Sequence, residues 1–198
     1  YFKGFPGTMS VKASSLLPMI KDVCECILNY GIDHLLFING HKGNEPVIEH
    51  VARELREKWG IVIASIVPWN CLGAGTNEEI YGDSAPRTGH GSEPMGSLNF
   101  HFFPDEMRMD LAEPGQIARD YGDFELSGGF QLKLGDVPVA FYQSYHEATR
   151  NGVMGDPFLA STERGKKMQS IIVRELVAVI RAFRTLDTKA QVGLGNRF

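Results

Sequence analysis

The sequence predicts an α/β fold with a largely parallel sheet, and three observations lead to it. Residues 35–38 form an apolar run without alternation, which is typical of a strand covered on both faces. Residues 45–59 form an amphipathic helical pattern, and residues 61–67 form a second, mostly apolar strand. A long amphipathic helix over residues 161–186 provides a further layer against such a sheet.

A helix over residues 11–30 precedes the first strand. Its predicted start is capped by Ser14 or Ser15, which places Pro18 in the first turn, and Gly31 follows its predicted end. Apolar residues recur every three or four positions and define one predicted buried stripe: Leu16, Ile20, Val23, Ile27 and Tyr30.

The middle of the chain contains more turn signals. Residues 70–86 are rich in Gly, Asn, Ser and Pro and are predicted to form a loop. A helix opened by Ser92 is predicted over residues 91–102, and a hairpin around residues 128–135 leads to a third apolar strand at residues 137–142. We expect residues 1–198 to form one domain, with residues 187–198 as a flexible tail.

Composition excludes several classes of protein. The net charge is −4 and Lys and Arg are not clustered, which argues against nucleic acid as a partner. No apolar run approaches the roughly 20 residues that cross a bilayer, and residues 1–5 do not resemble the start of a secretory signal. Cys24, Cys26 and Cys71 are expected to be reduced structural thiols, as in a cytoplasmic protein.

The first candidate functional segment is residues 39–44, which contains His41 between two glycines. This loop follows a predicted parallel strand, and ligands bind at the carboxyl ends of such strands. Imidazole is a common metal ligand and proton carrier. The alternative is a solvent-exposed loop histidine without a function.

The second candidate segment is residues 88–93, which contains His90 and Glu93 three positions apart. If a helix begins near Ser92, both side chains lie near its amino terminus, and together they can supply a proton donor and a metal ligand. The alternative is that Glu93 only supports the helix start.

The remaining histidines are weaker candidates. His50 is expected to be solvated, His34 to be structural and His101 to be packed among phenylalanines. His146 follows the third predicted strand and could line a cleft. Residues 151–157 predict a tight turn before the last helix, which alone indicates structure and no chemistry.

Four segments in this order resemble the creatininase (creatinine amidohydrolase) family. Residues 5–10 (FPGTMS) resemble its FPGT-(I/M)-S segment, and residues 39–44 (NGHKGN) its NGH-x-GN loop. Residues 90–97 (HGSEPMGS) resemble its HAGE-x-ETS segment, and residues 152–165 its GVxGDPxxAS-x-E-x-G ending. The four matches span nearly the whole chain.

The resemblance implies a three-layer α/β domain with helices on both faces of a largely parallel sheet. It also implies hydrolysis of a C–N bond in a small cyclic or linear amide, with two divalent metal ions, zinc or manganese. By position, His41 and Glu93 match metal ligands and His90 matches the histidine implicated in proton transfer. A homo-oligomer is implied, a hexamer being one form.

Two departures from the family pattern affect these expectations. The family's E-x-H pair and the Asp after it, which supply further ligands, have no counterpart ahead of Phe5. We therefore expect the 198 residues alone to bind catalytic metals weakly, because His41 and Glu93 cannot hold two ions by themselves. Met95 and Gly96 stand where the family pattern has Glu-Thr, which leaves the substrate open.

Two other functions remain as alternatives. One is a binding or assembly protein that has kept the fold and lost its metals. The other is an unrelated α/β enzyme whose residues 40–44 bind phosphate, although this loop lacks the G-K-[ST] ending of a phosphate-binding P-loop. Metal content distinguishes the first alternative from an amidohydrolase.

Overall fold

The computed structural model describes residues 2–82, 89–128 and 131–189. Its contacts divide the chain into two compact units. The first unit comprises Tyr1–Ser10 and Leu72–Ile171, and the second comprises Val11–Cys71 and Ile172–Phe198. The sequence-based prediction of one domain stays a prediction.

The second unit contains the predicted strand–helix–strand arrangement. Helix α1 spans Ala13–Asn29, strand β1 Leu36–Ile38, helix α2 Glu45–Trp59 and strand β2 Ala64–Ile66. Strands β1 and β2 pair in parallel, with Leu36 opposite Ala64 and Ile38 opposite Ile66. The α/β class is therefore confirmed here, and β1 ends where the loop with His41 begins.

The core of the second unit lies between α1, α2 and the starts of the two strands. Its buried members are Cys24, Leu28, Leu35, Val51, Leu55 and Ile61. The buried face of α1 is rotated from the predicted stripe, since Val23 is 57% and Tyr30 84% exposed. A helix buries the residues that face its neighbour, and spacing alone did not identify that side of α1.

The ends of α1 agree only in part with the prediction. The residue that precedes its first turn is Lys12, which makes no side-chain capping bond, so capping by Ser14 or Ser15 is wrong. Pro18 lies beyond the first turn, where it cannot donate a backbone hydrogen bond. The helix end is as predicted, because Gly31 has φ +79° and its N–H bonds the carbonyl of Leu28.

The first unit combines short helices with an antiparallel sheet. Its helices are α3 (Ala74–Tyr81), α4 (Met95–Phe102) and α5 (Tyr145–Ala148). Its sheet has strands β3 (Glu125–Gly128), β4 (Gln131–Leu134) and β5 (Val137–Ala140), in that order. The third predicted strand thus exists, but it pairs antiparallel with β4. Helix α6 (Thr162–Arg184) has residues in both units.

Two sequence-based predictions in the first unit were wrong: one helix was predicted as a loop, and another begins later than predicted. Helix α3 lies within the predicted loop of residues 70–86, of which residues 83–86 lie outside the described part, and buries Ile80. Helix α4 begins at Met95, and Ser92 does not cap it. The Ser92 hydroxyl instead lies 2.8 Å from the carbonyl oxygen of Met154. A bond to a residue so distant in sequence gives no local signal.

The tail is described only through residue 189. Thr188 is buried, and its carbonyl accepts a 2.6 Å hydrogen bond from the N–H of Val62. Ile61 and Lys189 form an isolated antiparallel bridge. The rest of the predicted tail, residues 190–198, lies outside the described residues, as do residues 129–130 of the predicted hairpin. Among the helices of the described part, none combines the length and apolar character that crossing a bilayer requires.

Candidate active site

His41 lies three residues beyond the end of β1, in the second unit. The chain reaches it through Asn39, whose N–H bonds the carbonyl of Ile66 on the neighbouring strand at 2.8 Å. The Asn39 side-chain oxygen accepts the N–H of His41 at 3.2 Å. Asn39 is 4% exposed, so the β1–β2 ladder and this buried amide fix the backbone from which the His41 ring projects.

A backbone hydrogen bond selects one neutral tautomer of the His41 ring. The ring is exposed, and its Nδ1 accepts a hydrogen bond from the N–H of Gly43 at 3.1 Å, which caps the short turn Lys42–Asn44. An accepting Nδ1 carries no proton, so the neutral ring carries its proton on Nε2. A metal can bind Nε2 only after the proton has left that nitrogen. If this proton moves to Nδ1, the hydrogen bond from the Gly43 N–H to Nδ1 must break.

Glu93 lies in the first unit and is fully buried, with 0% exposure. Its Oε1 accepts a 2.5 Å hydrogen bond from the hydroxyl of Ser97, one turn along the chain. Its Oε2 accepts the hydroxyl of Tyr81 at 3.4 Å. Burial, and then the nearby Glu93 carboxylate, raise the pKa of Tyr81, so its phenol stays neutral and remains a donor.

No cation accompanies this buried carboxylate in the described residues. The ion pairs found there do not include Glu93. The Arg164 guanidinium lies over the Tyr81 ring, 5.7 Å from its centre. A buried charge is costly unless it is paired or coordinates a metal. The chemistry of Glu93 therefore fits a bound cation.

His90 also lies in the first unit, and a backbone carbonyl orients its ring. Its Nδ1 lies 2.6 Å from the carbonyl oxygen of Gly152. A carbonyl can only accept, so Nδ1 carries a proton and the neutral ring has its lone pair on Nε2. The ring packs against Phe2 and Tyr145, with centroid distances of 4.8 and 4.6 Å. His90 can thus accept or return a proton at Nε2 while its orientation stays fixed.

The segment around Gly152 contributes to the site, which sequence reasoning missed. Besides the Gly152 carbonyl on His90, the N–H of Met154 bonds the His90 carbonyl at 2.7 Å. The Met154 carbonyl accepts the Ser92 hydroxyl. Residues 151–157 were predicted to be purely structural, but their backbone holds the loop that carries His90. The family resemblance was the only sequence signal that connected this segment with the site, because the side-chain contacts join residues 62 positions apart.

The histidines outside the predicted site have other partners or are exposed. His34 lies 2.9 Å from the carbonyl of Leu186 through Nε2, and His101 lies 2.7 Å from the side-chain oxygen of Gln169. His50 is exposed on α2, as predicted. These contacts agree with the structural and solvated roles expected for the three.

His146 is exposed, near the N-terminal segment of the first unit. Its ring lies 6.5 Å from that of Phe5, edge to face. A side chain added at Gly4 would overlap the His146 ring. The structure thus places His146 beside the first predicted family segment, and a catalytic role for it stays untested.

The predicted site residues fall in both units. His41 belongs to the second unit, and His90 and Glu93 belong to the first. Within residues 2–82, 89–128 and 131–189, no group of three or more His, Cys, Asp or Glu side chains is arranged to hold a metal ion. Thr88, at the edge of the second motif, lies outside the described residues.

The comparisons with known proteins agree on one family. Residues 1–180 match the model of the Creatininase family, described as creatinine amidohydrolase. No curated protein sequence matched the chain.

Three solved structures illustrate the similarity of fold. A mutant creatininase described as Zn–Zn type is 22% identical with a TM-score of 0.64, over 90% of this chain and 67% of its own. A structure described as creatininase Mn is 22% identical with a TM-score of 0.65, over 90% and 67%. A Bacteroides fragilis protein described as a candidate creatinine amidohydrolase is 18% identical with a TM-score of 0.67, over 92% and 66%. The chain thus spans about two thirds of these proteins.

Proposed function

Because the chain belongs to the creatininase family, we propose that it acts as a metal-dependent amidohydrolase that cleaves a C–N bond in a small cyclic or linear amide. The observation that carries the proposal is Glu93. It is a fully buried carboxylate inside a family motif, and its partners in the described residues are two neutral hydroxyls. A divalent ion supplies the positive charge that such a group lacks.

We assign metal binding to His41 and Glu93, which are an imidazole and a carboxylate of the types that hold zinc or manganese. Solved relatives described as Zn–Zn and Mn types support two divalent ions as the cofactor. When bound, such ions polarise an amide carbonyl and activate water.

His90 is assigned the proton transfer. Its Nδ1–H is engaged by the Gly152 carbonyl, so a proton is exchanged at Nε2. The leaving nitrogen of a cleaved amide needs a proton to depart as an amine, and Nε2 of a protonated His90 can deliver it. The Phe2 and Tyr145 rings limit rotation of the imidazole, which keeps Nε2 in one direction.

We propose a small amide as the substrate class and do not assign an individual substrate, because the chain departs from the family pattern close to Glu93. Met95 and Gly96 stand where the family pattern has Glu-Thr, so creatinine itself is not assigned. We also propose a homo-oligomer in the cytoplasm, where its unpaired Cys24, Cys26 and Cys71 would stay reduced.

The proposal is tested by removing and restoring metal. The full chain is treated with a chelator and assayed against a panel of small amides and lactams, before and after addition of zinc or manganese. Activity that disappears with the chelator and returns with metal supports the proposal. His41→Ala should abolish the recovery, whereas His50→Ala, which removes an exposed histidine on α2, should not. A chain that takes up no metal and hydrolyses no amide even in excess zinc or manganese would favour the non-catalytic alternative.

A further inference from the structure

We propose that Ser97 is a positioning residue that sets the orientation of the Glu93 carboxylate for metal binding. This inference rests on the proposed metal role of Glu93. Ser97 is fully buried and lies one helical turn beyond Glu93. Its hydroxyl makes the shortest of the contacts to that carboxylate, at 2.5 Å to Oε1.

The direction of the Ser97 hydrogen bond is fixed by a second contact. The backbone N–H of Ser161 lies 3.0 Å from the Ser97 oxygen, and an N–H can only donate. The Ser97 oxygen therefore accepts from Ser161, and its one proton goes to Glu93, because an ionised carboxylate can only accept. Such a chain of hydrogen bonds polarises the hydroxyl and strengthens its bond to the carboxylate.

Close packing between α4 and the start of α6 holds this chain of contacts in place. A side-chain carbon added at Gly165 would lie 2.0 Å from the Ser97 carbonyl oxygen, so only glycine permits this approach. On α4, immediately before Ser97, a carbon added at Gly96 would lie 3.0 Å from the Ala160 side chain. The two small positions bring Ser161 within hydrogen-bonding distance of Ser97.

The second oxygen of Glu93 has a weaker restraint. Tyr81 donates to Oε2 at 3.4 Å, near the upper limit for a hydrogen bond. With one donor on each oxygen, the carboxylate plane is defined before any metal arrives, and each oxygen keeps a lone pair. Hydrogen-bond partners of this kind orient metal ligands, and their loss typically weakens metal affinity about 10- to 100-fold.

A purely structural role for Ser97 is the competing explanation, and Ser92 provides the matched control. Ser92 is also fully buried, and the single proton of its hydroxyl is shared between two carbonyl oxygens, at 3.1 Å to Gly89 and 2.8 Å to Met154. It does not donate to Glu93. Ser97→Ala and Ser92→Ala thus remove the same atom from equally buried sites, and only the first removes a bond to the carboxylate.

The experiment measures zinc affinity of the full chain by competition with a chromophoric chelator. Ser97→Ala should weaken zinc binding about 10- to 100-fold, whereas Ser92→Ala should leave it unchanged even if both lower the melting temperature. In a Glu93→Gln background, Ser97→Ala should have no further effect on zinc affinity, because the two residues act as one unit. If Ser97→Ala does not fold, Ser97→Thr, which keeps the hydroxyl donor, should bind zinc nearly as tightly as the unaltered chain, and a loss of about 10- to 100-fold in that variant would count against the inference.

Two results would overturn the inference. Equal losses of zinc affinity in Ser97→Ala and Ser92→Ala would assign Ser97 a structural role only, as would a Ser97→Ala loss that persists in Glu93→Gln. Failure of the proposed function has a different signature. In that case Glu93→Gln alone leaves zinc binding at the level of the unaltered chain.

Discussion

His90 donates the proton on its Nδ1 to the carbonyl oxygen of Gly152 over 2.6 Å, although 62 positions separate the two residues. This bond selects one neutral tautomer of the ring and leaves Nε2 as the atom that exchanges protons. The Gly152–Pro157 motif therefore acts on the candidate site through a backbone oxygen.

Two substitutions distinguish the roles of Nδ1 and Nε2 of His90. Asn places its amide nitrogen near the position of Nδ1 and lacks a group at Nε2, whereas Gln reaches toward Nε2. We expect His90→Asn to lower kcat about 10²–10⁴-fold, the usual contribution of a general acid or base, with little change in melting temperature. His90→Gln should lose the Gly152 bond and also lose stability. Nearly full activity in His90→Asn would remove His90 from proton transfer.

The close approach at Gly165 predicts a large effect on stability. Gly165→Ala should destabilise the chain by about 1–3 kcal/mol or more, because the added carbon overlaps the Ser97 carbonyl oxygen and one backbone must move. Gly75→Ala is the matched control, since nothing lies within 4 Å of the added carbon, and it should be neutral or slightly stabilising. Urea unfolding measures both. Equal unfolding midpoints for the two variants would contradict this packing of α4 and α6.

The cysteines are predicted to differ in their reactivity toward alkylating agents. Burial raises the pKa of the Cys24 thiol, and burial together with Glu175 raises that of Cys71, so both stay protonated and unreactive. Cys26 is exposed on α1. Brief treatment with iodoacetamide followed by peptide mass analysis should find Cys26 modified first and Cys24 last. Prior modification of Cys24 in the folded chain would show that the packing of α1 is different.

The contact between α1 and α2 should make stability depend on pH. Lys21 and Glu54 lie 2.6 Å apart. Their hydrogen bond lowers the pKa of Glu54 from its usual 4.5 and raises that of Lys21 from 10.5. The lowered pKa of Glu54 stabilises the fold above pH 4.5, and this stabilisation is lost as the pH falls through the folded-state pKa. The raised pKa of Lys21 stabilises the fold below pH 10.5, and this stabilisation is lost as the pH rises through the folded-state pKa.

Glu54→Gln should therefore lower the urea midpoint slightly at neutral pH and have little effect in acid well below pH 4.5. Glu49→Gln, which removes the same charge from an exposed pair within α2, is the control and should shift the midpoint less. A Glu54→Gln effect of the same size at both pH values would exclude the ion pair as its cause.

The sequence predicted best those elements whose signals are local. The bounds of α2, Glu45–Trp59, agree with the prediction because an amphipathic pattern ends at Gly60, whose φ is +65°. Helix α3 was missed because Gly75, Thr76 and Asn77 are poor helix formers. It is nonetheless a helix, and Ile80 near its end is buried in the first unit.

The candidate site was predictable as residue types and not as contacts. The glycine-rich loops and the resemblance predict His41, His90 and Glu93 as site residues. The hydrogen bonds from the Ser97 and Tyr81 hydroxyls to the Glu93 carboxylate could not be predicted, because the neighbouring sequence does not indicate the partner of either hydroxyl. Which nitrogen of each histidine is available also depends on backbone atoms that the fold supplies.

The central claim is that Glu93 and His41 are ligands of divalent metal. The most direct measurement is anomalous X-ray diffraction at the zinc edge from crystals of the chain grown in an excess of zinc that occupies even a weak site. We predict strong peaks about 2.0–2.3 Å from a Glu93 carboxylate oxygen and from a His41 ring nitrogen, the usual zinc–ligand distances. Well-ordered crystals in which zinc contacts neither residue, and Glu93 is bonded only to Ser97 and Tyr81, would contradict it.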